Sequence, residues 1–479
     1  MKDSILFTDL YQLSMAYGYF KSGKHEEEAN FSMFFRKNPF HGGYALSCGL
    51  ERFLTYLESF SFEEEEIHYL STLQGSDGKR LFSSDFLDYL RTLRFTSAVD
   101  AIPEGNVAFP FEPLVRVRGP LIECQLIETF LLNVINFETL IATKASRVVF
   151  AAKGDPVLEF GLRRAQGTDG GLSASRAAFV GGCSATSNVL AGYKFGIPIK
   201  GTHAHSWVMS FDSEKEAFEK YAEHMPNNCV FLVDTYDTVQ GVKNAVEVAK
   251  TLKESGHRFL GIRLDSGDLA YLSKKAREIM DKAGFSDASI YASNDLDEYL
   301  IQDIKLQDAA INVWGVGTKL ATAYEQPALG GVYKITARKT AGNWVQTLKV
   351  SEQKEKTNIP GVLQVRRYKD SDDLYCGDMI YDELLGNVNN DVIIDPNNTT
   401  RRKKLEYTTY KDLLVPVYKN GSRLIQKEPL SLIQERAKTE LDSFHKGIRR
   451  FTNPHEYPVG LESSLFRNRE KLILQARGF

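Results

Sequence analysis

The chain predicts an α/β fold centred on a barrel of βα units, and three observations carry that reading. Between residues 159 and 319, short apolar runs repeatedly end in a polar or glycine-rich cluster and give way to a helix-like stretch. From Val233 to Leu264 to Ala292 to Gly315 the spacing is about 25–30 residues, the length of one βα unit. The clusters fall where parallel βα architectures gather catalytic groups, at the carboxyl ends of strands.

The elements follow in order. Residues 7–17 are apolar at helical spacing, with Thr8 or Asp9 as N-cap. Residues 29–35 read as a strand, and charged helix-like segments run from 50 to 93. Residues 107–118 read as two short strands broken by Pro110 and Pro113, and 121–141 as a long buried helix. The strand-like runs of the βα series are 157–160, 197–201, 230–233, 259–264, 289–292 and 313–315. A helix over 239–255 places Val242, Ala245, Val246, Ala249 and Leu252 on one face and stops at Gly256. Past Gly331 the pattern changes to strand-like pieces at 332–335 and 345–350, and a helix-like stretch at 430–444 and a last helix close the chain. The expected domains are 1–120, the N-terminal part of an α/β domain; 121–340, the barrel; and 341–479, an extension partly completing the first.

Composition excludes several classes. At 479 residues, with 43% hydrophobic and 25% charged residues, the chain is an ordinary globular protein of two or three domains. A net charge of −3 gives no bulk positive field for nucleic acid. Five scattered cysteines without a CxxC pair indicate neither a disulfide framework nor a zinc ribbon. No apolar stretch approaches the roughly 20 residues that span a bilayer, and no secretory segment opens the chain. A cytoplasmic location is expected.

The clusters suggest anionic, phosphorylated ligands. Gly315-Val316-Gly317-Thr318 precedes a helix opening, where backbone N–H groups can approach an anion. Ser293-Asn294-Asp295 sits at the preceding strand-to-helix turn, so two successive turns form a sugar-phosphate cradle more readily than either alone. Each also reads as an ordinary turn or cap. Arg263 and Asp265, two residues apart, share one face of a strand end. The guanidinium suits a phosphate or carboxylate, and the carboxylate suits ribose hydroxyls or magnesium; a purely structural pair is the alternative. His203 and His205 also share one side of an extended segment. They read as metal ligands, as structural histidines, or as one reactive histidine oriented by Asp234. Phe160, followed by Arg163 and Arg164, offers a face for a flat heteroaromatic ring beside two cations, or simply a core ring beside surface charge.

Taken together, these stretches resemble the nicotinate phosphoribosyltransferase family. The matching pieces are Thr8-Asp9-Leu10-Tyr11-Gln12, Glu159-Phe160-Gly161-Leu162-Arg163-Arg164-Ala165-Gln166-Gly167, Thr186-Ser187-Asn188-Val189 and Gly201-Thr202-His203-Ala204-His205-Ser206. Further along are Leu232-Val233-Asp234-Thr235-Tyr236-Asp237, Ile262-Arg263-Leu264-Asp265-Ser266-Gly267-Asp268, Ser293-Asn294-Asp295-Leu296-Asp297-Glu298 and Gly315-Val316-Gly317-Thr318. The resemblance implies an irregular or incomplete α/β barrel beside an α/β domain built from N-terminal and C-terminal segments. It implies a homodimer with shared active sites. It further implies transfer of phosphoribosyl from phosphoribosyl pyrophosphate to nicotinate, with ATP hydrolysis coupled through a phosphohistidine and magnesium present, as the first step of NAD synthesis from nicotinate. Carried over, His205 is the phosphorylated residue, Asp234 orients it, and Phe160 and Tyr11 of the neighbouring subunit stack on the pyridine. Arg163, Arg164 and Arg263 take the nicotinate carboxylate or the pyrophosphate, Asp265 the ribose, and Gly315, Gly317 and Thr318 the 5′-phosphate. Ser187, Asn188, Thr202, Ser293 and Asn294 complete the substrate-binding set. His203 receives no role, and the segment 349–361 matches a family loop only loosely.

Two rivals remain. The nicotinamide-using relative carries an acidic residue where Asn188 stands, and a fixed carboxylate there would repel a carboxylate substrate. A sugar-phosphate aldolase or isomerase expects a Schiff-base lysine or a carboxylate base on an interior strand, and Lys200 is the strand-end lysine preceding the clusters.

Overall fold

The computed structural model describes residues 3–352, 357–386, 388 and 391–479. Residues 353–356, inside the 349–361 segment, lie outside that set. The chain forms two compact units, one of Met1–Leu140 with Ala328–Phe479 and one of Ile141–Pro327. The first division falls inside the helix Glu128–Ala152.

The Ile141–Pro327 unit holds a six-stranded parallel sheet. Its strands are β1 (Val157–Glu159), β2 (Ala185–Thr186), β3 (Val230–Leu232), β4 (Gly261–Leu264), β5 (Ser289–Ala292) and β6 (Val313–Val316), in the order β2-β1-β6-β5-β4-β3. With β2 and β3 at its edges the sheet does not close, as an incomplete barrel requires. Strands β1, β3 and β6 are buried throughout, which is why they read as continuous apolar runs rather than alternating ones. Register brings the strand ends level: Glu159 pairs with Thr186 and Val316, and Ala292 with Leu264 and Trp314.

The helices after β3, β4 and β5 begin alike. Asp237, Asp268 and Asp297 are their N-caps, each side chain accepting the N–H three residues on, from Gln240, Tyr271 and Leu300. The 239–255 expectation is met by Thr238–Glu254, with all five predicted apolar residues buried. The 197–201 run is not a strand. Pro198 has no N–H to give a ladder, and the stretch contributes one parallel bridge, Ile199 to Thr186.

The other unit carries two larger sheets. Glu28–Phe34 is central to an antiparallel seven-stranded sheet, paired with Val332–Thr340 and Val115–Pro120. The expected 121–141 helix divides at Ile127 into Leu121–Leu126 and Glu128–Ala152. A six-stranded mixed sheet is built wholly from residues beyond 362, with Leu363–Lys369 against Tyr375–Asp382. Against this sheet Arg367 is fully buried: its Nε and Nη2 donate to Asp378, and Nη1 to Glu440 and the Val107 carbonyl. The rings of Phe109, Tyr375 and Phe444 lie 5.1–5.5 Å from its guanidinium carbon.

Candidate functional site

The predicted clusters of the Ile141–Pro327 unit meet at the carboxyl edge of its sheet. Arg263, on β4, is the hub. Its Nε donates to Ser293 Oγ (2.8 Å), Nη1 to Thr202 Oγ1 (3.0 Å) and Nη2 to Asp265 Oδ1 (2.8 Å). Ser293 Oγ also donates to Asp265. One guanidinium thus joins the ends of β4 and β5 to the loop carrying Thr202, and its planar fork suits that task better than an ammonium.

Phe160, just past β1, lies with its ring centroid 5.8 Å from the Arg263 guanidinium carbon. The ring also covers Gly315: a Cβ there would come 2.7 Å from Phe160 Cδ2, so only glycine lets strand and ring pack this closely. Arg163 and Arg164 follow on a single exposed turn, Leu162–Arg164. The next strand-end turn is strained. Asn294 and Asp295 are both left-handed, with φ of 102° and 38°, a conformation rare for two successive non-glycine residues.

His205 opens the short helix His205–Met209 with its side chain 39% exposed. Its Nδ1 is 3.1 Å from Thr235 Oγ1, while Nε2 stands 3.9 Å from Asp234 Oδ1 and 3.8 Å from Asp265 Oδ2. The hydrogen-bonding partner of the ring is therefore Thr235, a neighbour of the residue expected to orient it. Asp234 is anchored through Oδ2, which accepts the Asp265 N–H and the Ser266 hydroxyl, both at 2.7 Å. Its Oδ1 is buried and accepts no hydrogen bond among the described residues.

His203 is a different kind of histidine. Its Nε2 accepts the Leu232 N–H (3.2 Å), and burial pushes its pKa down to about 4, so the ring is neutral. With Nε2 committed to backbone, the two histidines are not a ligand pair. Lys200 is exposed, without the desolvated pocket a Schiff-base lysine needs.

Asn188 is buried and committed. It caps the helix Val189–Phe195 by accepting the Ala191 N–H, and its amide donates to Ser175 Oγ and the Gly171 carbonyl. Ser187 beside it is half-buried. Glu159, which the sequence offers only as part of a motif, is the buried anchor below: it accepts from Ser175, Thr186 and the Gly161 N–H. Thr235 and Glu159 are the residues sequence reasoning passed over. Both lie inside quoted motifs, but nothing in their spacing marks them.

Tyr11 belongs to the other unit, half exposed on the helix Leu10–Lys21. That unit has its own cleft, with a cavity of about 170 Å³, lined by Phe109, Ile380, Ile393, Arg401 and Tyr457, and none of the strand-end clusters borders it.

Sheet and cluster together define an α/β protein of the strand-end-site type, with an arginine hub, a flanking ring and a histidine–carboxylate group on one edge. Comparison with known proteins makes the assignment specific. The chain matches the nicotinate phosphoribosyltransferase (NAPRTase) N-terminal domain over residues 6–136 and the C-terminal domain over residues 364–469. It is 45% identical over 478 residues to the nicotinate phosphoribosyltransferase of Bacillus subtilis, covering 98% of this chain and 96% of that one. To the Homo sapiens nicotinate phosphoribosyltransferase it is 33% identical, covering 96% and 95%. The crystal structure of human nicotinic acid phosphoribosyltransferase superposes with a TM-score of 0.85 at 30% identity, covering 97% and 99%. The chain belongs to the nicotinate phosphoribosyltransferase family, and is a pentosyltransferase.

Proposed function

We propose that the protein joins nicotinate to phosphoribosyl pyrophosphate, forming nicotinate mononucleotide and pyrophosphate, with ATP hydrolysis coupled through His205. The observation that carries this is the Arg263 hub, which draws Thr202, Asp265 and Ser293 together beside the Phe160 ring. The pyridine ring stacks on Phe160, and Tyr11 of a neighbouring subunit closes the other face in a homodimer. Exposure of half the Tyr11 side chain supports that role. Arg163 and Arg164, free of burial, suit the nicotinate carboxylate or the pyrophosphate. Asp265 meets the ribose, and the backbone of Gly315, Gly317 and Thr318, with Asn294, the 5′-phosphate. Ser187 offers the hydroxyl toward the substrate, and Asn188 holds it in place.

The pyridine nitrogen forms its bond to the anomeric carbon as the bond to the pyrophosphate oxygen breaks. Positive charge builds on the ribosyl ring and negative charge leaves with pyrophosphate. The carboxylate of Asp265 faces the former and the guanidinium groups the latter. A magnesium ion fits the donor set, since the buried Asp234 Oδ1 has no hydrogen-bonding partner among the described residues and Asp265 lies beside it. Bound there, it would neutralise diphosphate charge.

Among the described residues no helix is long and apolar enough to cross a membrane. A cytoplasmic setting, where nicotinate and ATP are available, accords with this reading.

The test is side-by-side turnover of nicotinate and nicotinamide. No carboxylate occupies position 188, so we expect nicotinate to be preferred by at least on the order of tenfold in kcat/KM. A preference for nicotinamide would refute the substrate assignment.

A further inference from the structure

The turns after β5 and β6 are tied together by an ion pair. Lys319 directly follows Thr318, and its Nζ lies 2.5 Å from Oδ2 of Asp297, the N-cap of the helix Glu298–Leu306. Burial works against both charges, yet each wins its partner: Asp297 is held below the usual carboxyl range by the Leu300 N–H and Lys319, and Lys319 above its own by Asp297. Behind the pair lies a buried network. Lys144 Nζ is 2.6 Å from Glu298 and 2.5 Å from Glu325, and Arg147 Nε donates to Glu298 at 2.7 Å. The side chains of Lys144, Arg147 and Glu298 are at most 2% exposed. Three cations (Lys144, Arg147, Lys319) thus balance three carboxylates (Asp297, Glu298, Glu325).

The network spans the strained stretch. The left-handed pair Asn294–Asp295 is held on one side by Ser293, which Arg263 grips, and on the other by Asp297, which Lys319 grips. Such backbone persists only where its surroundings fix it.

We propose that the Asp297–Lys319 pair is a positioning clasp that sets the spacing of the two turns and thereby the affinity for the phosphorylated pentose, without acting on the pyridine. This rests on the reading of those turns as the sugar-phosphate side. Asp297→Asn keeps an effective N-cap and removes the charge; Lys319→Met keeps the stem and removes the ammonium.

Each variant is expected to raise KM for phosphoribosyl pyrophosphate about tenfold, with nicotinate KM close to wild type. The double variant should be no worse than either single one, and Lys319→Arg should restore most of the affinity. An unchanged KM for phosphoribosyl pyrophosphate overturns the clasp, as does a parallel rise in both KM values with a fall in melting temperature. Wild-type turnover judges the functional reading separately. If it fails, titration with ribose 5-phosphate judges the clasp alone: weaker binding by the variants supports it, and equal binding overturns it.

Discussion

His205→Ala will abolish the ATP dependence of nicotinate mononucleotide formation while leaving a slow ATP-independent rate. In the resting arrangement Thr235 holds Nδ1, and Nε2 faces the carboxylates of Asp234 and Asp265 at 3.9 and 3.8 Å. Phosphorylation would add about −1.5 to −2 charge and three acceptor oxygens in the midst of these groups and the Arg263 hub. Two carboxylates and a phosphoryl group cannot share that space without compensation. The charge must be met by a cation or by rearranged loops, and either outcome couples ATP use to binding of the diphosphate substrate. Couplings of this kind span about 5–150-fold in affinity. ATP should therefore lower the KM for phosphoribosyl pyrophosphate within that range for the wild-type protein and not at all for His205→Ala. Steady-state kinetics with and without ATP measure it. An alanine variant that still responds to ATP would remove His205 from the mechanism.

Arg367→Met will destabilise the protein by about 3–5 kcal/mol, the cost of breaking a buried ion pair from one side. Arg367 is fully buried, with Asp378 taking its Nε and Nη2 and Glu440 its Nη1. Removing the cation leaves the buried Asp378 without its guanidinium partner, with the Tyr457 hydroxyl still donating to it. Glu112, also fully buried, lies 3.8 Å from the same guanidinium. Burial first, and then the Asp378 charge, push Glu112 well above the ordinary carboxyl range, so of the two carboxyls Glu112 is the readier to take up a proton. Glu112→Gln, which mimics that protonated form, should accordingly cost less than about 1 kcal/mol. Urea unfolding of the two variants separates them. Equal losses would mean that Glu112 is ionised and shares the pairing.

The parts of this molecule legible in its sequence are those where local pattern and tertiary role coincide. Strands such as Val230–Leu232 and Val313–Val316 are buried on both faces, so each is an apolar run ended by the polar residues that line the site. The two-residue spacing of Arg263 and Asp265 put them on one face, and they meet at 2.8 Å. Ala185–Thr186 is too short to show any period, and its place comes from pairing with Leu158 and Glu159. Arg402–Lys404 is wholly exposed and made a strand by its neighbour Val392–Ile394. Glu112, Arg367, Asp378 and Glu440 are dispersed over the chain, and no local signal announces that they share one buried network. Nor does the motif containing His203 and His205 tell its members apart. One ring is spent on a backbone N–H, and the other is left partly exposed beside Asp234 and Asp265.

A crystal structure with nicotinate mononucleotide bound tests the central claim most directly. The pyridine is expected on Phe160, the ribose at Asp265 and the 5′-phosphate at the Gly315–Thr318 turn. A product molecule seated away from the Arg263 hub would contradict it.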